Sequence, residues 1–168
     1  MRAALNPASP LARLMAAPVR PGRLTWIGTR PARRGAMQVL EEVALEAGQG
    51  LVGDRYHTRT NGGRQASLIQ AEDLRAIASY LGRDDVAPID LRRNLVTAGI
   101  NLLALKDRRF RIGPALLEWS GECHPCTRME ETFGPGGYNA VRGHGGILAR
   151  VIEGGTIRLG DAVERVDP

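Results

Sequence analysis

The order of apolar and polar residues predicts a chain built mostly of short strands. Strand-like runs bounded by glycine, aspartate or proline are LTWIG, LRRNLVTAG, RRFRIG, PALLEWSG, GILARVIEGG and TIRLGDAVERV. Many short strands at turn-punctuated intervals favour an antiparallel barrel or sandwich over a βαβ sheet. The predicted fold class is therefore mainly β with a few helices, a barrel of short, mostly antiparallel strands.

Two segments give more detailed expectations. In VLEEVALEAG, Val39, Val43 and Leu45 alternate with polar positions, with Glu41 as the one misfit, which predicts a half-buried strand ending at Gly48. In AEDLRAIASYLG, apolar residues recur at helical spacing, acids occupy the first turn and a glycine follows the last turn, which predicts a helix.

Composition fits one globular domain. The chain has 168 residues, is 43% hydrophobic and 24% charged, and contains no apolar run long enough for a spanning helix. We expect residues 1–22 to form a partly ordered leader and residues 23–168 to form the domain. A cytoplasmic protein that does not contact a membrane is the expectation.

Charge adds a second, weaker expectation. The net charge is +5, Lys106 is the only lysine, and the first 40 residues hold seven arginines and no acid. Arginine grips phosphate or carboxylate through paired hydrogen bonds. Only 4% of the residues are aromatic, which leaves little for stacking on bases, so a nucleic-acid partner is disfavoured.

The two cysteines form one CxxC motif, Cys123-His124-Pro125-Cys126. Four interpretations remain open: inert buried thiols, half of a zinc site completed by His57 and His144, a thioredoxin-type redox pair, or a single reactive thiolate. The last would be Cys126, placed where TRMEETF begins a helical turn. Such a thiolate is able to bind a soft metal or carry a persulfide sulfur.

Two further segments offer anion contacts. Arg92 and Asn94 are two residues apart in a predicted strand and would share one face, where an arginine and an amide together clamp an anion. In the loop GDRYH, Asp54 is expected to cap a turn and Arg55 to be another phosphate contact, although a purely structural role fits this loop equally well.

Taken in order, five segments resemble the MOSC domain, named for the C-terminal domain of molybdenum-cofactor sulfurases. They are GLVGDRYH, RQASLIQAEDL, LRRNLVTAGINLL, GECHPCTRME and GGILARVIEGGTIRLGDAVERV. The resemblance extends from about Arg23 to Val166 and implies a β-barrel fold. It also implies that Cys126 ligates the molybdenum of the pterin cofactor and that Arg92 and Asn94 hold the cofactor's phosphate end.

The leading hypothesis is a molybdenum-cofactor-binding protein that reduces N-hydroxylated substrates, with Cys126 on the metal and with Arg55 and Arg64 assisting Arg92 and Asn94. Such a protein needs an electron donor and a small-molecule substrate, and a dimer mate would complete the pocket that a second domain encloses in related reductases. The alternative is a sulfur carrier that takes persulfide sulfur from a PLP-dependent cysteine desulfurase. PLP would then belong to that partner, because Lys106 lies in a turn-like segment poorly suited to a Schiff base.

Overall fold

The computed structural model describes residues 5–167, and the element bounds below refer to that part of the chain. The strands are β1 (Gly22–Thr29), β2 (Gln38–Leu40), β3 (Glu42–Glu46), β4 (Gly50–Leu51), β5 (Ala66–Gln70), β6 (Leu95–Ala98), β7 (Arg109–Ile112), β8 (Ala115–Glu122), β9 (Ile147–Glu153), β10 (Gly155–Arg158) and β11 (Ala162–Val166). The helices are α1 (Pro10–Ala16), α2 (Ala71–Tyr80), α3 (Pro88–Leu91), α4 (Arg128–Phe133) and α5 (Gly137–Val141), with a 3-10 turn at Leu102–Leu105.

A closed barrel of seven strands forms the body of the domain. The order is β11-β7-β8-β9-β5-β6-β1, and β1 closes the ring by pairing with β11. The β5–β6 pair is parallel and the other pairs in the ring are antiparallel. β2 pairs with the C-terminal part of β1, beyond the residues that pair with β11, and β3, β4 and β10 form a separate three-stranded sheet. The predicted β-barrel is confirmed.

Apolar residues fill the barrel and also cover part of its outer face. Leu68 of β5 belongs to the barrel core, whereas the next residue, Ile69, packs in a second cluster with Leu74 and Ile77 of α2. Because successive strand residues point to opposite faces, β5 is buried on both sides, between the barrel core and α2. This double burial fixes β5 and the start of α2 beside the site described below.

The two detailed sequence expectations have different outcomes. The predicted helix is α2, and its buried residues lie at the expected spacing. The predicted strand in VLEEVALEAG is wrong in one respect, because the chain breaks at Glu41, the misfit position, and β2 and β3 join different sheets. Val43 and Leu45 are buried as expected, but Val39 is exposed.

The predicted strand through LRRNLVTAG begins later than expected. Pro88 starts the single-turn helix α3, which ends at Arg92 in a left-handed conformation (φ 54°), and β6 starts only at Leu95. A proline at the first turn with an acid close behind is a helix-start signal, and it explains the difference. The alternation argument that placed Arg92 and Asn94 on one strand face is therefore wrong.

Candidate functional site

A cavity at one end of the barrel is lined by eight arginine side chains. It has two connected lobes of about 480 Å³ and about 340 Å³, which share Arg30, Arg55, Arg64, Arg93 and Cys123. Arg33, Arg34, Arg92 and Arg128 line the second lobe only. We call the two lobes together the arginine cavity. Guanidinium groups pair well with phosphate and carboxylate, so a cavity lined by so many of them is chemically suited to an anionic ligand.

The CHPC segment forms one wall of the arginine cavity and joins β8 to α4. Cys123 is buried, Cys126 is exposed, and neither forms a disulfide. Cys123 lines both lobes, whereas Cys126 lines only the second lobe. The Cys123 amide donates to the carbonyl oxygen of Gly146 at 2.8 Å, and Cys126 accepts from the Met129 amide through its own carbonyl oxygen at 3.0 Å. The exposed thiol is therefore presented to the arginine cavity from a segment held at both ends.

Arg93 is the buried charge at the centre of this wall. Its side chain donates to the carbonyl oxygens of Gly145 at 2.8 Å and Leu91 at 2.7 Å. Within residues 5–167 it makes no ion pair with a carboxylate. Burial lowers the pKa of Arg93, while the nearby Cys123 and Cys126 sulfurs oppose that shift. An uncompensated buried guanidinium beside two thiols favours negative charge at this position.

Arg92 is held in a conformation that few side chains adopt. Its left-handed backbone costs about 1 kcal/mol relative to a right-handed one. Its guanidinium donates to the Gly35 carbonyl oxygen at 3.0 Å. Burial lowers the pKa of Arg92, and the positive charges of Arg128, Arg30 and Arg55 lower it further. Like charges crowded around a strained backbone position do not stabilise the fold.

Asn94 is placed differently from Arg92. It is fully buried and is absent from the lining of the arginine cavity. Its Oδ1 accepts from the Ser67 amide and hydroxyl, both at 3.1 Å, and its Nδ2 donates to the Gly28 carbonyl oxygen at 3.2 Å. The predicted clamp formed jointly by Arg92 and Asn94 is not present, because Asn94 ties β1 to β5 beneath the cavity.

The GDRYH loop contributes both a ligand-facing group and a structural one. Arg55 lines both lobes, as does Arg64, so both predicted arginines reach the cavity. Asp54 is 6% exposed and accepts from the Arg30 amide at 2.6 Å while pairing with the Arg30 guanidinium at 3.2 Å. The expected turn cap is thus a bridge that orients Arg30.

Sequence reasoning assigned no role at the site to Arg30, Arg33, Arg34 and Arg93. The first three lie in or next to the turn after β1. The structure brings this turn close to α4, where Arg34 is 3.7 Å from Glu131, a proximity that no local pattern shows. Arg93 was assigned to the opposite face by the strand argument that the helix α3 overturns.

The remaining histidines do not build a metal site. No group of three or more histidine, cysteine, aspartate or glutamate side chains in residues 5–167 is arranged to hold a metal ion. His57 lines the first lobe of the arginine cavity, and His144 lies with Asp73 in a smaller cavity on the other side of the CHPC segment. The zinc interpretation of the CxxC motif has no support in this geometry.

The fold is a closed seven-stranded β-barrel domain that carries a thiol and a cluster of arginines at one end. The sequence model of the MOSC domain matches residues 53–164. The protein belongs to the MOSC domain family. The match begins at the glycine of GDRYH and covers the CHPC segment.

Solved structures show the same fold. The YuaD protein from Bacillus subtilis is 20% identical with a TM-score of 0.75, and the alignment covers 88% of this chain and 96% of that one. YiiM from Escherichia coli is 22% identical with a TM-score of 0.65, covering 87% of this chain and 70% of that one. A search among curated proteins gives no match. Among the described helices, none has the length and apolar character needed to cross a membrane.

Proposed function

We propose that the protein binds the molybdenum cofactor in the arginine cavity, with the Cys126 sulfur as its protein ligand to molybdenum. The observation that carries the proposal is the exposed Cys126 thiol facing the same cavity as eight arginines. A thiolate suits molybdenum, and guanidinium groups suit the phosphate of the pterin. Membership of the MOSC family, which is known for binding this cofactor, adds independent support.

The residues present fit such a group. The cavity is large, polar and mostly cationic, and within the described residues its second lobe includes a single carboxylate, Glu131, which is already paired with Arg34. Arg92, Arg55 and Arg64 would hold the phosphate, and Arg93 would offset negative charge near the sulfur. Asn94 would contribute indirectly, because its hydrogen bonds hold β1 and β5 together beneath the cavity.

The proposed reaction is the reduction of an N-hydroxylated substrate to the amine and water. When bound, the cofactor supplies a two-electron redox centre. The chain's own residues would orient the substrate and the phosphate. His57 and Tyr56 line the first lobe and have side chains that are able to exchange protons. An electron-donor partner is required, and a second copy of the chain is a further proposed partner that would enclose the open side.

Metal analysis tests the cofactor proposal. Protein made in a host that synthesises the cofactor should carry molybdenum, together with pterin fluorescence after denaturation. Cys126→Ala should lose the metal, and Arg92→Gln should lower pterin content, whereas Arg109→Gln, in an exposed ion pair with Glu118 on β8, should match the wild type. Full molybdenum content in Cys126→Ala would overturn the assignment of the ligand.

A sulfur carrier is the second candidate, favoured by the exposure of the unpaired Cys126 thiol. A cysteine desulfurase would transfer the sulfur of free cysteine to Cys126 as a persulfide and release alanine. The Cys123 thiolate would then attack the inner Cys126 sulfur, forming the Cys123–Cys126 disulfide and releasing the outer sulfur as hydrosulfide. Intact-mass analysis should find a cysteine-dependent adduct of one sulfur atom on Cys126. Its absence, with molybdenum present in the protein from the competent host, would eliminate this candidate.

A further inference from the structure

The turn between α5 and β9 shapes the wall of the arginine cavity. Its residues Gly145 and Gly146 supply the two carbonyl oxygens that fix the site: Gly145 accepts from the Arg93 Nε at 2.8 Å, and Gly146 accepts from the Cys123 amide at 2.8 Å. A Cβ on Gly145 would overlap the Cys123 carbonyl oxygen, and one on Gly146 would overlap the Leu68 carbonyl oxygen. The turn is therefore packed directly against both the thiol segment and β5.

The side chain between Gly143 and Gly145 anchors this turn to α2. His144 Nδ1 lies 2.7 Å from Asp73 Oδ1, in the first turn of α2, and this is a short, charge-assisted contact when the imidazole is protonated. The two side chains are 30% and 19% exposed, so the pair is partly shielded from water. The other ring nitrogen, Nε2, is 3.4 Å from the Tyr80 hydroxyl, a much weaker contact.

A small cavity of about 200 Å³ separates this pair from the CHPC segment. Asp73, His144 and Cys123 all line it, and Glu122 and His124 are its other ionisable lining residues. Three of the four residues of the 143–146 turn are glycines, so His144 supplies its one side chain beyond Cβ. The turn is therefore held by its backbone contacts and by the pairing of His144 with Asp73.

We propose that Asp73 and His144 are positioning residues of the arginine cavity, which hold the 143–146 turn and through it the Arg93 guanidinium and the Cys123 backbone. The effect passes along a continuous chain of contacts: Asp73 to His144, then Gly145 to Arg93 and Gly146 to Cys123. The inference rests on the proposed function for its biological meaning, because what the turn supports is the proposed cofactor site. The structural linkage itself holds with or without a bound cofactor.

Thiol labelling tests the linkage on the full chain without cofactor. Iodoacetamide labels both cysteines, and peptide mass spectrometry gives a separate rate for each. Wild-type Cys123 should react slowly because it is buried. In His144→Ala and in Asp73→Ala, labelling of Cys123 should accelerate about tenfold, since local opening follows the loss of the anchoring bond, while Cys126 changes less than about twofold.

Conservative and control variants separate positioning from a general loss of stability. Asp73→Asn keeps an oxygen that accepts from His144 Nδ1 and should restore slow Cys123 labelling. Tyr80→Phe removes only the weak Nε2 contact, and Asp84→Ala removes an exposed carboxylate just beyond α2, so both should label like the wild type. Urea unfolding of each variant reports the global stability alongside.

Two outcomes would overturn the proposal. One is a wild-type Cys123 rate in His144→Ala. The other is acceleration that simply follows the loss of global stability across all variants, with Asp73→Asn no better than Asp73→Ala. Molybdenum content measured separately keeps this result distinct from the proposed function, because a protein that binds no cofactor would still show the labelling pattern if the linkage is correct.

Discussion

The two cavities on either side of the CHPC segment differ in how their charges are balanced. In the arginine cavity, like charges crowd together, and Arg92 and Arg93 both have lowered pKa values with no ion pair of their own among the described residues. In the smaller cavity, Asp73 and His144 form a compact pair. The uncompensated charges of the arginine cavity suit the anionic ligand proposed above, whereas the Asp73–His144 pair contributes to the structure around that cavity.

The difference predicts where substitutions harm stability and where they harm binding. Around the Asp73–His144 pair, substitutions that disturb the contacts of the 143–146 turn should lower the free energy of unfolding most. In the arginine cavity, removal of a guanidinium should change the free energy of unfolding little but should strongly lower the affinity for an anion. The predictions below test this division, beginning with the largest effect.

The largest effect is expected at the turn itself. Gly145→Ala places a Cβ against the Cys123 carbonyl oxygen, a backbone atom that cannot move aside cheaply, and should lower the free energy of unfolding by about 3 kcal/mol or more. Gly121→Ala is the matched control, because its Cβ would meet open space and its backbone is not left-handed. Equal urea midpoints for the two variants would contradict the tight packing of the turn.

Asp54 is the exception that sharpens the comparison, since this buried carboxylate pairs with Arg30, one of the arginines that line the arginine cavity. Asp54→Ala removes the acceptor for the Arg30 amide and guanidinium and should cost about 3 kcal/mol of unfolding free energy. Glu118→Ala, which breaks the exposed pair with Arg109, should cost less than about 1 kcal/mol. Similar losses in the two variants would mean that burial of the Asp54 pair has no energetic consequence.

Arg92 should show the opposite behaviour from Asp54. Arg92→Gly removes a left-handed arginine from a like-charged cluster, so unfolding free energy should stay level or rise by up to about 1 kcal/mol. Affinity for pyrophosphate, measured by calorimetry at low salt, should fall about tenfold because a bidentate anion contact is lost.

Asp107→Gly is the control for Arg92→Gly. Asp107 also has a positive φ, of 59°, but lies outside the arginine cavity, so the glycine there should relieve the backbone and leave pyrophosphate binding unchanged. Unaltered pyrophosphate affinity in Arg92→Gly would remove Arg92 from the anion site.

The sequence predicted the barrel well and the site only in part, for a physical reason. Strand alternation and turn residues are local, so β7, β8, β9 and α2 could be located from short windows. The run TIRLGDAVERV, by contrast, holds two strands, β10 and β11, that belong to different sheets. Cys126, Arg55 and Arg64 could be named as candidates because they lie in motifs, and they line the arginine cavity. Arg30 and Arg93 were missed because their place depends on partners distant in sequence, such as Asp54 and Gly145.

The Asn94 prediction was wrong in its geometry. Alternation along a strand placed Arg92 and Asn94 on one face, but α3 ends at this point and β6 begins only at Leu95. Pro88 and Asp90 contained the signal for that helix. Because α3 ends here, Arg92 lines the arginine cavity from a turn. Asn94 lies in the core, where its side-chain amide forms hydrogen bonds with Ser67 and Gly28.

The smallest expected effect is the pH dependence of stability that arises from Asp73, the partner of His144. Burial raises the pKa of Asp73 above its ordinary value, and Glu72 adds to the rise, although the hydrogen bond and charge of His144 oppose it. A carboxyl whose pKa is raised by folding stabilises the fold while protonated, and that contribution is lost as the pH climbs through the folded-state pKa. Asp73→Asn has no such titration and keeps the acceptor for His144. Wild-type stability relative to Asp73→Asn should therefore be highest below the ordinary aspartate pKa of 3.8 and should decline as the pH rises toward neutral.

Urea unfolding of both proteins across the acid range measures this difference, with Asp84→Asn as the exposed control that should show no such trend. A difference that grows in favour of the wild type with rising pH would mean that the His144 charge outweighs burial, and the pair would then contribute stability as an ion pair as well as fixing the turn.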